Sequence, residues 1–525
     1  MFQVLFKQFY ILKFIIFNNK NIIDNKIDKN KIPPKILIEI NNNFSSHIII
    51  HYLIRVFNKK KNYEYVGFLL NIESDLIFLI KHFLKKIIPT SIYKIYESFG
   101  IRTIISFYEK KSKNEEIIAS IINKTCSLDA LLNLRINNIY IGDLIYDSYL
   151  RQKKKITINI NDNEFKKFFK KFLKYFFNCY NYFETNNIEV LFVSHTVYQN
   201  AVPLRIALDK KIKCYLPNIN VVDYFDDKRN TNWDFDAINQ NFKQLNNKEK
   251  KEAIDSAKKN LEKKFDPKNK DYVAEIFLTG RKFKKEDFKT FKKNFRKDIL
   301  ARNGKKNFLI SAHCFFDSPH VMGNFFYYDF YHWLDNLGKI SETTNYNWYL
   351  KTHPHTIDNN LNFIILKKFE KKYKNFYLLD KDVSNMNLIS EGVDLVLSVY
   401  GSVAYEFPYH KIPVLLASNE CIYKDQLFCM TPKNKEEYEF LLRNPDKINL
   451  DFNRDNIYKF FYSIFMNFWD PLKISENKFN HKTNFFSPEI YNLFMKKYFS
   501  KENELIILRD LEQFLKSKNY RIFTK

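Results

Sequence analysis

Cysteine is sparse and unpaired in this sequence: Cys126, Cys179, Cys214, Cys314, Cys421 and Cys429 are scattered over 525 residues without a CxxC pair. That distribution argues against a disulfide framework or a structural zinc site and fits a reducing cytoplasm. No run approaches the roughly 20 uninterrupted apolar residues that a bilayer-spanning helix needs, so an integral membrane protein is not expected. The apolar stretch Met1 to Phe17 is broken by Lys7, Gln8 and Lys13 and lacks a small-residue cleavage site, and reads as a helix suited to a membrane surface. The absence of a fixed repeat at a period of roughly 20 to 50 residues argues against a solenoid. Zinc-finger spacing, a helix-turn-helix pattern and an aromatic RNA-binding signature are all missing, so nucleic acid is not an expected partner. Acidic residues are also short, 59 against 85 basic, for a net charge of +26. Glycine (9) and proline (14) are scarce while Lys, Asn, Ile, Phe and Tyr are enriched together, so codon bias toward A and T accounts for much of this basicity. An anionic membrane or substrate surface accounts for the rest.

What is present is apolar material, 45% of residues, enough to build several packed domains and incompatible with a disordered chain. After a polar extension at 1–32, Pro34 to Ile40 (PKILIEI) is a short continuous apolar run of the kind that forms a buried parallel strand. A periodic segment, Ile48 to Phe57, and a second strand-like run, Tyr63 to Leu70, follow. The pattern returns at Ile188 to His195 (IEVLFVSH), the helical segment Asn200 to Lys210 and the strand Lys213 to Leu216, a βαβ unit. These place a first Rossmann-like domain at 33–245. The charged stretch 246–306 reads as a helical connection. Strand-like runs resume at Asn307 to His313, Trp348 to His353, Phe376 to Leu379, Asp394 to Tyr400 and Pro413 to Ala417, giving a second Rossmann-like domain at 307–485 and a helical tail at 486–525. The expected fold class is α/β, two Rossmann-like parallel-sheet domains facing across a cleft.

In open α/β sheets, ligands bind beyond the carboxyl ends of the strands, so the strand tips are where chemistry is sought. WYLKTHPH at 348–355 brings Lys351 and His353 to one tip, a cation and an imidazole able to stabilise or protonate a departing phosphate. In GVDLVLSVYGSVAYEF, Ser398, Gly401 and Ser402 precede a helix, where N–H groups and hydroxyls face an anion. Glu406, one turn on, is placed to accept hydrogen bonds from ribose hydroxyls. His313, after the first strand of the second half, is a further nucleotide-binding candidate. His313, Cys314, Asp317 and His320 do not match a common metal-ligand spacing, and no metal is expected. In the first half, INNIYIGDLIYDSYLR (136–151) and SHTVYQNAVPLR (194–205) offer Asp143 and His195 as candidates to take the acceptor proton. Asp147 is a third such candidate, with Asp143 ranked first, and is also expected to bind the acceptor together with Arg151 and Arg205, whose guanidinium forks suit an anionic acceptor or donor.

The pair of stretches Lys351-Thr352-His353-Pro354 and Asp394 through Gly401-Ser402-Val403-Ala404-Tyr405-Glu406 resembles the K-x-H-P and G-[ST]-x-x-x-E motifs of bacterial capsule and surface-polysaccharide proteins of the GT-B glycosyltransferase superfamily. The layout is similar to that of bacterial sialyltransferases and Kdo transferases, in which an HP histidine and a serine turn hold the phosphate of a CMP-sugar. The resemblance implies a glycosyltransferase that uses a CMP-, UDP- or GDP-linked sugar as co-substrate, with no bound cofactor. The acceptor would be a glycan or lipid-linked glycan, reached in the cytoplasm or at the cytoplasmic face of the inner membrane. His353 would contact the leaving phosphate, with Ser398, Ser402 or both binding it. The pattern departs in the first domain, where sialyltransferases carry an acidic pair followed by Gly and this chain has Gly142 before Asp143. Wall teichoic acid glycerophosphotransferases have a similar second half, so CDP-polyol phosphotransfer is an alternative, as are nucleotide-sugar epimerisation on a related fold and a noncatalytic nucleotide- or carbohydrate-binding partner in polysaccharide assembly.

Overall fold

A computed structural model describes residues 2–20, 33–70, 84–107, 114–218, 220–265, 298–353, 359–381, 383–469, 488, 491, 495 and 501–522. Pro354 of the K-x-H-P stretch and the basic run Arg281 to Lys297 lie outside them. The chain divides into two compact units, one made of 1–145, 160–232 and 467–525, the other of 146–159 and 233–466.

The first unit is built on a six-stranded sheet. Its strands are β1 (Lys35–Glu39), β2 (Glu64–Leu69), β3 (Thr103–Ser106), β6 (Ile188–Phe192), β7 (Lys213–Asn218) and β8 (Val221–Phe225), in the order β3-β2-β1-β6-β7-β8. β4 (Arg135–Ile136) and β5 (Ile139–Tyr140) form a separate antiparallel pair. All pairings in the large sheet are parallel except β7 with β8. Ile36, Leu37 and Ile38 of β1 are fully buried, as expected of a strand covered on both faces. The Phe44–Asn58 helix is started by Asn43, whose side chain accepts from the Ser45 N–H, and packs Ile48, Tyr52 and Val56 into the core. The Asn163–Thr185 helix, capped by Asp162, buries Phe165, Phe168, Phe169, Phe172 and Phe176 at helical spacing. At the β8 edge, Tyr224 N–H donates to Tyr520 O and Ile522 N–H to Val222 O, so the tail covers an edge that would otherwise expose backbone groups.

The second unit has five strands, β9 (Asn307–Ser311), β10 (Asn347–Lys351), β11 (Phe376–Leu378), β12 (Leu395–Ser398) and β13 (Val414–Leu416), all parallel, in the order β11-β10-β9-β12-β13. Alternate residues feed two cores: Phe308, Ile310, Trp348, Leu350, Leu395 and Leu397 on one face, Leu309, Tyr349 and Val396 on the other. The chain is thus a pair of Rossmann-like α/β units.

The division differs from the boundaries read from the sequence. The lysine-rich Asn247–Phe265 helix, expected as connection, buries Ala253, Ala257 and Leu261, three residues at four-residue spacing, and belongs to the second unit. Residues from Asn467 onward join the first unit, through Trp469, Tyr491 and the Lys501–Lys516 helix. The Gly142–Lys153 helix contributes its first four residues to one unit and the rest to the other. Its Gly142 is required sterically, since a Cβ there would lie 2.2 Å from Leu131 O and 2.5 Å from Leu132 O.

Candidate functional site

Both sheets reverse their winding beside the first strand. The chain runs outward from β1 to β3 and returns to place β6 on the other side of β1, and does the same from β9 to β11 before placing β12 beside β9. Each reversal is a topological switch point, where flanking loops part and leave room for a ligand.

At the β9/β12 switch point of the second unit, His313 Nε2 accepts from Val399 N–H (3.2 Å) and lies 3.1 Å from Ser398 Oγ, which itself accepts from Gly401 N–H (3.3 Å). The ring stacks on Phe330, with centroids 4.7 Å apart. Burial, reinforced by His353, holds His313 down to about 3, so it is neutral. Ser398 is fully buried. Both residues, expected to touch phosphate, stitch the turn that carries Gly401 and Ser402; Ser402 is the exposed hydroxyl. His353 lies 6.5 Å from His313, ring centre to ring centre.

Lys351 ends β10. Among the described residues its ammonium makes no hydrogen bond, and burial pushes it down to about 8, with Glu406 the charge that pulls it back up. Glu406 is engaged inside the protein: Oε1 accepts from Lys264 (2.7 Å) and Oε2 from Asn385 (2.9 Å). Burial would raise its carboxyl, but the Lys264 charge and these bonds leave it below the usual range. A ribose-binding role is therefore replaced by one of tying the Val403–Tyr409 helix to the Asn247–Phe265 helix.

Asp147, expected at the acceptor, is buried and accepts from His320 Nδ1 at 2.6 Å and from His320 N–H at 3.3 Å. The pair fixes the imidazole by its Nδ1 side. Beside it, the Tyr146 ring meets His320 edge-on and its hydroxyl donates to Asp329 (2.6 Å). Arg151 approaches Asp317 at 4.0 Å.

In the first unit, Asp143 and Arg205 are brought together, but with each other: Arg205 Nη2 donates to Asp143 Oδ2 at 2.8 Å, and Nη1 to Tyr140 O at 3.3 Å. Both side chains are largely buried. The ion pair engages the carboxylate and the guanidinium with each other in place of an acceptor or an anion. His195 differs. It follows β6 at the β1/β6 switch point, and its Nδ1 lies 2.7 Å from Ser194 Oγ. That hydroxyl donates to Glu39 Oε1, while Ser194 N–H donates to Glu39 Oε2 at 2.6 Å. Desolvation of the ring lowers the His195 pKa. Glu39 is buried, which raises it to about 7.

Sequence reasoning gave no role to Glu39 or Lys264 and weighed His320 only as a metal ligand. Glu39 carried a signal, a carboxylate closing an otherwise apolar strand; His320 meets a partner 173 positions away, and Lys264 is one lysine among many on its helix. Among the described residues no group of three or more His, Cys, Asp or Glu side chains is placed to hold a metal ion.

No family model matches this sequence, and no curated protein is similar to it. Among solved structures the chain is similar to the UDP-GlcNAc 2-epimerase of Neisseria meningitidis bound to UDP-GlcNAc (11% identity, 81% of this chain and 97% of that one, TM-score 0.25). It is similar also to the UDP-GlcNAc 2-epimerase of Methanocaldococcus jannaschii (12% identity, 81% and 97%, TM-score 0.23) and to the wall teichoic acid polymerase TagF (13% identity, 95% and 96%, TM-score 0.20). Likeness at this level assigns no activity, and the functional reading rests on the side chains.

Proposed function

We propose that the protein is a glycosyltransferase of the GT-B type that moves a sugar from a nucleotide-sugar donor to a growing surface glycan. The observation that carries this reading is Lys351: an ammonium at a strand tip beside a switch point, held by burial near 8 and without a hydrogen-bond partner among the described residues. A desolvated ammonium is stabilised by an anion; Glu406 acts on it from within the protein, and the groups nearby in sequence and topology, His353 and the exposed Ser402, suit a phosphate beside it. In this reading Lys351 and His353 stabilise charge developing on the leaving nucleotide phosphate and Ser402 hydrogen-bonds it. In the first unit, His195, whose Nε2 is not hydrogen-bonded among the described residues, is the candidate base for an acceptor hydroxyl in place of Asp143, which is paired with Arg205. The test is to incubate the protein with CMP-, UDP- and GDP-sugars and a glycan acceptor and to follow nucleotide release. Release from one class, dependent on acceptor, is expected; no release from any of them by folded protein overturns the proposal.

We infer also that the enzyme works at an anionic membrane surface. The Phe2–Lys20 helix buries Ile11, Phe14 and Ile15 in the first unit and exposes Phe6 (57%), Phe9 (49%), Leu12 (41%) and Ile16 (47%) on another face, with Lys13 exposed among them. An apolar stripe with lysines suits the boundary between headgroups and acyl chains. Among the described residues no helix is long and apolar enough to cross a membrane.

A further inference from the structure

The β1/β6 switch point holds a buried carboxylate that the fold does not neutralise. Glu39 is 3% exposed, and among the described residues no cation pairs with it; both of its oxygens face Ser194, one toward the N–H and the other toward the hydroxyl. A carboxylate placed only to secure the β6 turn would need the N–H bond alone. The hydroxyl adds direction. With its single proton donated to Glu39, Ser194 Oγ is an acceptor for His195 Nδ1–H, which selects the tautomer with its lone pair on Nε2. His195 is exposed. The three side chains therefore form a continuous path from the His195 ring to a buried acid.

We propose that Glu39, Ser194 and His195 are a proton relay, in which His195 Nε2 takes the proton of an acceptor hydroxyl and Glu39, a positioning residue, is the terminal proton store. The proposal rests on the transfer reading for the identity of the acceptor but not for the relay itself. The step balances: the acceptor O–H breaks as Nε2–H forms, Nδ1 passes its proton to Ser194 Oγ, and the serine proton passes to the Glu39 carboxylate. The acceptor oxygen keeps the electron pair with which it attacks the sugar carbon.

The groups around Glu39 do not compete for this role. Tyr96 donates to the Glu39 carbonyl (3.1 Å), and Tyr175, on the Asn163–Thr185 helix, adds only its phenol; burial raises both far above the working range. His47, which meets the Asn41 carbonyl at 2.9 Å, is held by burial at about 4. Of the groups around the carboxyl, Ser194 hydrogen-bonds both of its oxygens, and His195 reaches it through the Ser194 hydroxyl.

The test is a pH titration of ring-labelled histidine in the intact protein, with His195 identified through His195→Gln, compared among wild type, Glu39→Gln and Ser194→Ala. A His195 signal in the wild type with a second inflection at the pH where Glu39 titrates, lost in both variants, is expected. A His195 titration unchanged by Glu39→Gln overturns the relay, whatever the protein's activity. Where turnover is measurable, Ser194→Ala and Glu39→Gln should each lower kcat about tenfold or more and alter the acid limb of its pH profile, with donor KM unchanged. An unaltered profile also overturns it. Coupling in the titration without sugar transfer would leave the relay standing and remove the transfer reading.

Discussion

Replacing Glu39 by Gln should stabilise the first unit, and by an amount that depends on pH. Glutamine keeps the shape of the protonated acid: its carbonyl accepts from Ser194 N–H and its amide faces the hydroxyl. In the wild type, burial moves the carboxyl from 4.5 to about 7. A group whose folded pKa is raised contributes fully below its unfolded value, and that contribution is lost as pH rises through the folded one. The loss begins near 4.5 and is complete above 7. At about 1.4 kcal/mol for each tenfold change in proton affinity, it reaches about 3 kcal/mol. Glutamine does not ionise, so the variant and wild type should unfold alike near pH 4.5 and diverge by about 3 kcal/mol at pH 8.5. For a unit of this size that is roughly 6 to 12 °C in Tm. Differential scanning calorimetry across this range measures it directly. A difference that is constant with pH, or a variant less stable at pH 8.5, would refute the claim that the carboxylate is held without a counter-ion.

The opposite behaviour is expected at Asp223, which is buried between Arg229 (2.9 Å) and Arg521 (2.8 Å). Asp223→Ala leaves two guanidinium groups without their carboxylate and should cost about 3 to 5 kcal/mol in chemical denaturation, whereas a loss below about 1 kcal/mol would show that the tail is not anchored there. Because the two arginines depress this carboxyl despite its burial, its contribution should be present above the ordinary carboxylate range and fall away as acid protonates it. For the membrane face, Phe9→Asp combined with Ile16→Asp should abolish co-sedimentation with vesicles containing anionic lipid while leaving the melting temperature within a few degrees. Equal sedimentation of variant and wild type would remove that role from the helix.

The parallel strands were legible because each is a short, nearly continuous apolar run: PKILIEI, IEVLFVSH, NFLISAH and DLVLSVY contain β1, β6, β9 and β12. The edges were not. β3 has only four residues, its two outermost exposed, and β8 turns back antiparallel on β7. Unit membership escaped the sequence for a related reason, since three small or apolar positions in a lysine-rich helix decide where the Asn247–Phe265 helix packs. At the site, strand tips could be named in advance because parallel sheets put ligands there, and Lys351, His353, His195 and Ser402 occupy those tips. Pairings between distant residues could not. Asp143 with Arg205, Asp147 with His320 and Glu406 with Lys264 turn charged groups expected to face ligand into internal partners, and only the folded chain reveals which charge is left over.

That leftover charge is the centre of the account, and nucleotide binding tests it most directly. Isothermal titration of CMP, CDP, UDP and GDP into the wild type and Lys351→Met should show one nucleotide class binding the wild type and at least tenfold weaker binding to the variant. The variant should also be the more stable of the two at pH 7 without ligand, since methionine removes a buried cation held at about 8. Binding that survives Lys351→Met unchanged, or no binding to the wild type at all, would contradict the account.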